Sequence, residues 1–115
     1  MVDTLLPPGQ AVFVTVFKVT PKTMARNIAT AATRLQHQLD GLGLQHPLPY
    51  RKPTLSTSRG GTILLAIENV DFTQAAADAS SLNWAWQIAR QAELSAQEWD
   101  IEVFESRQLT PQRQI

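Results

Sequence analysis

With 115 residues, of which 43% are apolar and 17% charged, the chain has the size of a single domain and enough hydrophobic material to bury a core. Ten basic residues balance ten acidic ones, so no net charge attracts a nucleic-acid backbone or an anionic membrane surface. The lack of cysteine excludes disulfides, thiolate metal ligands and cysteine nucleophiles.

The N-terminal residues 1–9 are predicted to form an extended arm, because Pro7 and Pro8 remove two backbone donors. The start of the chain lacks the basic residues and the apolar run of a signal peptide, and no later window is apolar enough to span a membrane. We therefore expect an intracellular protein without a membrane partner, located in a cytoplasm or in a virion assembled inside a cell.

Residues 11–19 are β-branched or aromatic almost throughout, which predicts a strand. Both of its faces are apolar, as expected for a central strand that is covered on two sides. Thr20 and Pro21 then predict the start of a helix, which ends around Gly41 and Gly43. The core stripe predicted for this helix consists of Met24, Ile28, Ala31, Leu35, Leu39 and Leu42.

The proline-rich residues 44–53 are interpreted as a surface loop that precedes a short strand at 54–58. Arg59, Gly60 and Gly61 supply the positive φ angles of a tight hairpin turn. The next strand, residues 62–68, again has apolar residues on both faces, with Ile63, Leu65 and Ile67 on one side.

Asp71 and Gln74 resemble a capping box at the start of a second, alanine-rich helix. Trp84 and Trp86 point in nearly opposite directions on this helix, so we expect Trp86 in the core and Trp84 at the rim or in an interface. A half-buried strand follows from Trp99 to about residue 105, and residues 107–115 form a polar tail. The core stripe predicted for the second helix consists of Ala75, Ala79, Leu82, Trp86 and Ala89.

The element order strand, helix, strand, strand, helix, strand predicts one α+β domain over residues 10–106, a βαββαβ ferredoxin-like sandwich. Four antiparallel strands would form one sheet with two helices on one face. The first and third strands would be central, in agreement with their apolar residues on both faces. The opposite sheet face is expected to display Phe13, Thr15, Phe17, Leu64, Ala66 and Phe104.

An apolar face of that kind on a soluble monomer requires a cover. We therefore predict a non-catalytic structural subunit, of a virion, a tail or a cellular complex, that self-associates or docks through this face and the terminal arms. No metal is expected, because His37 and His46 have no second ligand at a suitable spacing. No catalytic residue or cofactor is expected either, because the sequence contains no recognisable catalytic constellation. The residues assigned to the interface are Phe13, Phe17, Leu64, Phe104 and Trp84.

An alternative function, a nucleic-acid-binding adaptor, uses the basic cluster of Tyr50, Arg51, Lys52 and Arg59 to contact a phosphate or an acidic partner. These four side chains are also what a solvated loop would carry. Residues 12–14, Val-Phe-Val, resemble the first-strand motif of the RNA-recognition family. Residues 59–65 lack the aromatic side chain on which that family stacks bases.

A further alternative is a dimeric α/β-barrel protein, either a small-ligand-binding protein or a monooxygenase-like enzyme. Residues 13–21 resemble the first strand and turn of small monooxygenase-type members of that group, without the glycine often found after the proline. The resemblance implies two sheets that close face to face and a ligand cavity between sheet and helices. It nominates no acid, base or cofactor ligand in this chain.

Overall fold

A computed structural model describes residues 8–23, 27–45, 53–58 and 61–112 of the chain. Most of the predicted N-terminal arm, Met24 and the last residues of the predicted tail lie outside these ranges. The element order is strand, helix, strand, strand, helix, strand, as predicted. The elements are β1 (Ala11–Pro21), α1 (Ile28–Gln45), β2 (Thr54–Thr57), β3 (Ile63–Asp71), α2 (Gln74–Gln91) and β4 (Trp99–Gln108).

The described strands form one antiparallel sheet in the order β2-β3-β1-β4, which confirms the predicted α+β, ferredoxin-like fold. β1 pairs with β3 from Ala11 opposite Asp71 to Val19 opposite Ile63. On its other side β1 pairs with β4, with a bulge where the register shifts between Val16 and Phe17. β1 and β3 are therefore the central strands, and β4 is a long edge strand.

Both helices lie on the same face of the sheet, because their buried residues belong to one core cluster with the buried residues of β1 and β3. On β1 the core side chains are Phe17 and Val19, and the residues that alternate with them point to the opposite face. The remaining members of the cluster are Ala31, Leu35, Leu39, Ile63, Leu65, Ile67, Ala85, Ile88, Ala89, Ala92, Leu94, Trp99 and Ile101.

The first helix begins later than predicted, at Ile28 and not at Pro21. Pro21 is the last residue of β1 and lies opposite Trp99, so pairing with β4 extends the strand through the expected helix start. The Asn27 side chain caps the helix instead, since its Oδ1 accepts a hydrogen bond from the Thr30 N–H at 3.0 Å. The predicted stripe is confirmed at Ala31, Leu35 and Leu39, which are all buried.

The N-cap of α2 is Thr73, whose hydroxyl accepts a hydrogen bond from the Ala76 N–H at 3.1 Å. The capping box predicted at Asp71 is wrong, because Asp71 ends β3 and accepts a hydrogen bond from the Phe72 N–H at 2.8 Å. β3 is therefore longer than predicted, and β4 likewise continues to Gln108. Both strands pair with β1 along nearly its whole length. This pairing keeps them extended beyond the point where their alternation of apolar and polar residues ends.

The buried stripe of α2 is also different from the predicted one, since Ala75 and Ala79 are exposed. The side chains that α2 does bury are mostly small, which lets the helix backbone lie close to the sheet. Trp84 and Trp86 flank Ala85 and are both partly buried against the core, so Trp86 packs on the core without being buried in it as expected. The buried residues of α2 are Ala77, Ser81, Ala85, Ile88 and Ala89.

Two backbone positions have positive φ angles with clear roles. Gly61, with a φ of 83°, belongs to the predicted hairpin turn between β2 and β3 and has the positive φ angle expected there. Glu93, with a φ of 66°, follows the C-cap of α2, where glycine is the usual residue. The Leu94 N–H donates to the Ala89 carbonyl at 2.8 Å and closes the end of the helix. Glu93 is therefore held in a left-handed conformation that disfavours its side chain.

We predict that Glu93→Gly stabilises the protein by roughly 0.5–1 kcal/mol, because the left-handed conformation costs a non-glycine residue about 1–2 kcal/mol and the added chain entropy of glycine offsets part of the gain. Urea unfolding followed by circular dichroism measures the change. The control is Glu93→Ala, which removes the same carboxylate but keeps the Cβ atom and should not stabilise. Equal stabilisation by both variants would show that charge, and not backbone conformation, is responsible.

Candidate functional site

The sheet face that points away from the helices carries an aliphatic patch across the two central strands. Its residues alternate with the core residues of β1 and β3. Val12 lies opposite Val70 and Val16 lies opposite Ala66, whereas the other members lie opposite charged residues. Val14 is only 8% exposed, and the other members are partly exposed. We call this set the outer aliphatic patch; it comprises Val12, Val14, Val16, Leu64, Ala66 and Val70.

Charged residues border the outer aliphatic patch. Val14 lies between Glu68 on β3 and Arg107 on β4, and Val16 faces Glu105 on the β4 side. Lys18 and Glu102 form a neighbouring cross-strand pair of positions. The face is therefore an aliphatic strip two strands wide that Glu68 and Lys18 interrupt, with a margin of further charged residues along β4.

The expectation that Phe13, Thr15 and Phe17 lie on this outer face is wrong. Phe13 is 2% exposed and packs with Ala11 and Ala77, while Phe17 is 0% exposed in the main core beneath the helices. Both faces of β1 are apolar, so alternation alone does not show which face the helices cover. The larger aromatic rings remove more apolar surface from water when they are buried, and the smaller valines are left on the outer side.

The other residues predicted for the interface are more accessible. Leu64 lies on the outer face and is partly exposed, and Phe104 is 58% exposed on β4. Trp84 is partly buried at the side of α2. Their role in an interface remains a prediction. The basic cluster Tyr50, Arg51, Lys52 and Arg59 lies outside the described residues.

A polar cluster that the sequence did not reveal lies between α2 and the sheet. The wholly buried Thr15 hydroxyl donates to Asp78 Oδ1 at 2.7 Å, and the Ser106 hydroxyl donates to Asp78 Oδ2 at 3.1 Å. Gln74 Nε2 in turn donates to the Ser106 hydroxyl. These contacts satisfy the polar groups that lie between α2 and the sheet.

Two surface cavities, with volumes of about 380 and 150 Å³, lie between α1 and the residues at and after the end of α2. Arg34 and Glu93 line both of them and approach each other to 3.8 Å. Their side chains are 51% and 80% exposed, so solvent screens this ion pair. The larger cavity is open to solvent, and neither lies in the core beneath the helices, where an α/β-barrel protein would hold its ligand.

Within the described residues, no group of three or more histidine, aspartate and glutamate side chains could hold a metal ion. Over the same part of the chain, no helix has the length and hydropathy needed to cross a membrane. Comparison with protein families, with curated proteins and with solved structures finds no match to this chain. We therefore infer the function from the surfaces of the molecule.

We predict that Asp78→Ala destabilises the protein by about 1–3 kcal/mol, because it leaves the buried Thr15 hydroxyl without its acceptor. The double variant Asp78→Ala with Thr15→Val removes both hydrogen-bonding groups and should recover a large part of that loss. Urea unfolding of the single variants and the double variant completes the cycle. If the two single effects simply add, the hydrogen bond is not what holds Asp78 in place.

Proposed function

We propose that the protein is a non-catalytic assembly module that associates with a second copy of itself through the outer aliphatic patch. The observation that supports this proposal is the position of the patch on both central strands, on the side of the sheet that neither helix covers. Contiguous apolar surface in the middle of a sheet favours a contact with another surface.

The dimensions of the sheet fit a dimer contact. Three of the strands have nine to eleven residues and span about 30–37 Å, and β2 adds only four residues. With neighbouring strands about 4.8 Å apart, one face covers roughly 550 Å². A standard interface buries about 800 Å² on each partner. Two sheets packed face to face would approach that size, with the patch at the centre and the charged margin at the rim, as in known interfaces.

The zero net charge of the chain also favours self-association, since two copies repel each other only weakly at long range. The described parts of the termini do not extend this contact. Gln112 Nε2 donates to the Gly9 carbonyl at 3.3 Å and to the Phe72 carbonyl at 2.7 Å, so these segments pack on their own domain. The proposal is therefore confined to the sheet face.

Nucleic-acid binding has less support on this face. Base stacking requires exposed aromatic rings, but Phe13 and Phe17 point to the helices. The β4 margin carries Glu102 and Glu105 beside a single Arg107, which disfavours contact with phosphates.

We predict that Ala66→Arg raises the dissociation constant of the self-association by at least about tenfold, because it places a long charged side chain in the centre of the patch. The matched control is Ala79→Arg, the same substitution at an exposed position of α2. Sedimentation over a range of concentrations gives the dissociation constants, and circular dichroism establishes that both variants are folded.

A wild-type protein that stays monomeric at every concentration would contradict the proposal. Equal weakening by Ala66→Arg and Ala79→Arg would contradict the placement of the contact on this face.

A further inference from the structure

We propose that the outer edge of β4, with which no other strand of the described residues pairs, binds an extended segment of a partner protein in which basic and apolar residues alternate, so that the segment adds a strand to the sheet. This inference is independent of the self-association through the outer aliphatic patch, because it uses the edge of the sheet and not its face. Three features of β4 support it: its backbone, its exposed apolar side chains and its charges.

The backbone of β4 offers hydrogen-bonding groups at the edge. In an antiparallel pair, alternate residues bond to the neighbouring strand and the residues between them point away. The Lys22 N–H donates to the Glu98 carbonyl at 2.8 Å. In this part of β4 the backbone N–H and C=O groups of the even-numbered residues therefore point toward β1. Ile101 and Val103 consequently direct their N–H and C=O groups outward, where an added strand can bond to them.

Two large apolar side chains are exposed at the same place. Val103 and Phe104 are 46% and 58% exposed, and they lie at the bulge where the β1–β4 register shifts. A bulge changes the direction of side chains on an edge strand. An incoming segment could cover both side chains with its own apolar residues, which gives the contact an anchor in addition to backbone hydrogen bonds.

The charges of β4 select the partner. Asp100, Glu102 and Glu105 are exposed along the strand. The basic residues beside them are Arg107 on β4 and Lys18, which lies opposite Glu102 on β1. A second β4 strand would bring carboxylates close to carboxylates, which costs free energy and opposes pairing of two copies at this edge. Lysine or arginine side chains on an added strand would instead be attracted to these carboxylates. The opposite edge strand, β2, spans only Thr54–Thr57 and offers a much shorter template.

The test measures binding of an acetylated peptide in which lysine and valine alternate, by calorimetry at low salt. The references are an otherwise identical peptide with glutamate in place of lysine, and a backbone N-methylated lysine peptide that cannot form the ladder. We expect the lysine peptide to bind, the two reference peptides to bind at least about tenfold more weakly, and the affinity to fall with added salt. Hydrogen exchange should slow at the amides of Ile101 and Val103 on binding.

Matched variants locate the site. Phe104→Ser should weaken peptide binding by about tenfold, while Phe72→Ser, at a phenylalanine that is 54% exposed elsewhere, should leave it unchanged. Asp100→Asn with Glu102→Gln should have a similar effect to Phe104→Ser, and the same two changes at Asp40 and Glu93 should have none.

Absence of binding by folded wild-type protein would overturn the inference. So would equal binding of the glutamate or N-methylated peptide, or equal losses in the matched variants. Ala66→Arg distinguishes this inference from the proposed self-association, because that variant should lose the dimer and still bind the peptide.

Discussion

The orientation of β1 determines how the rest of the molecule is arranged. One face of this central strand carries phenylalanines and the other carries valines, so either could be covered by the helices. The structure places Phe13 and Phe17 under the helices, and pairing with β3 then sets Ile63, Leu65 and Ile67 on the same side. A strand has a side-chain period of two, so this choice also fixes which residues form the outer aliphatic patch.

The same orientation places a threonine in the core and explains the composition of α2. Thr15 points to the helix, and Asp78 provides the acceptor that its buried hydroxyl needs. Ala77, Ser81 and Ala85 give this helix a stripe of small side chains where it crosses the sheet. The polar contacts lie between two apolar clusters, one around Phe13 and the other around Phe17, and so divide the core. Among the described residues, every buried side-chain nitrogen or oxygen atom has a hydrogen-bond partner.

The sequence predicted the element order, the central strands and the Leu35 stripe of α1, because these depend on local periodicity and on strands that are apolar on both sides. It did not predict the face to which Phe17 points, since the two faces of β1 are both apolar and do not differ in hydrophobicity enough to show which one is buried. It also misplaced the stripe of α2, because a pattern that weights large residues favours Trp86 over Ala85, whereas close packing favours small side chains. The acceptor for Thr15 is 63 residues away in the sequence and could not be inferred from local spacing.

The two candidate surfaces differ in the physical forces on which they depend. The outer aliphatic patch consists of small, partly buried side chains, so a contact there gains mainly from the total area removed from water. The β4 edge instead combines outward backbone groups with the exposed Phe104 and a row of carboxylates, which makes a contact there directional and sensitive to charge. Because the carboxylates oppose pairing of two β4 strands, the face is the better surface for a second copy and the edge is the better surface for a different, basic partner.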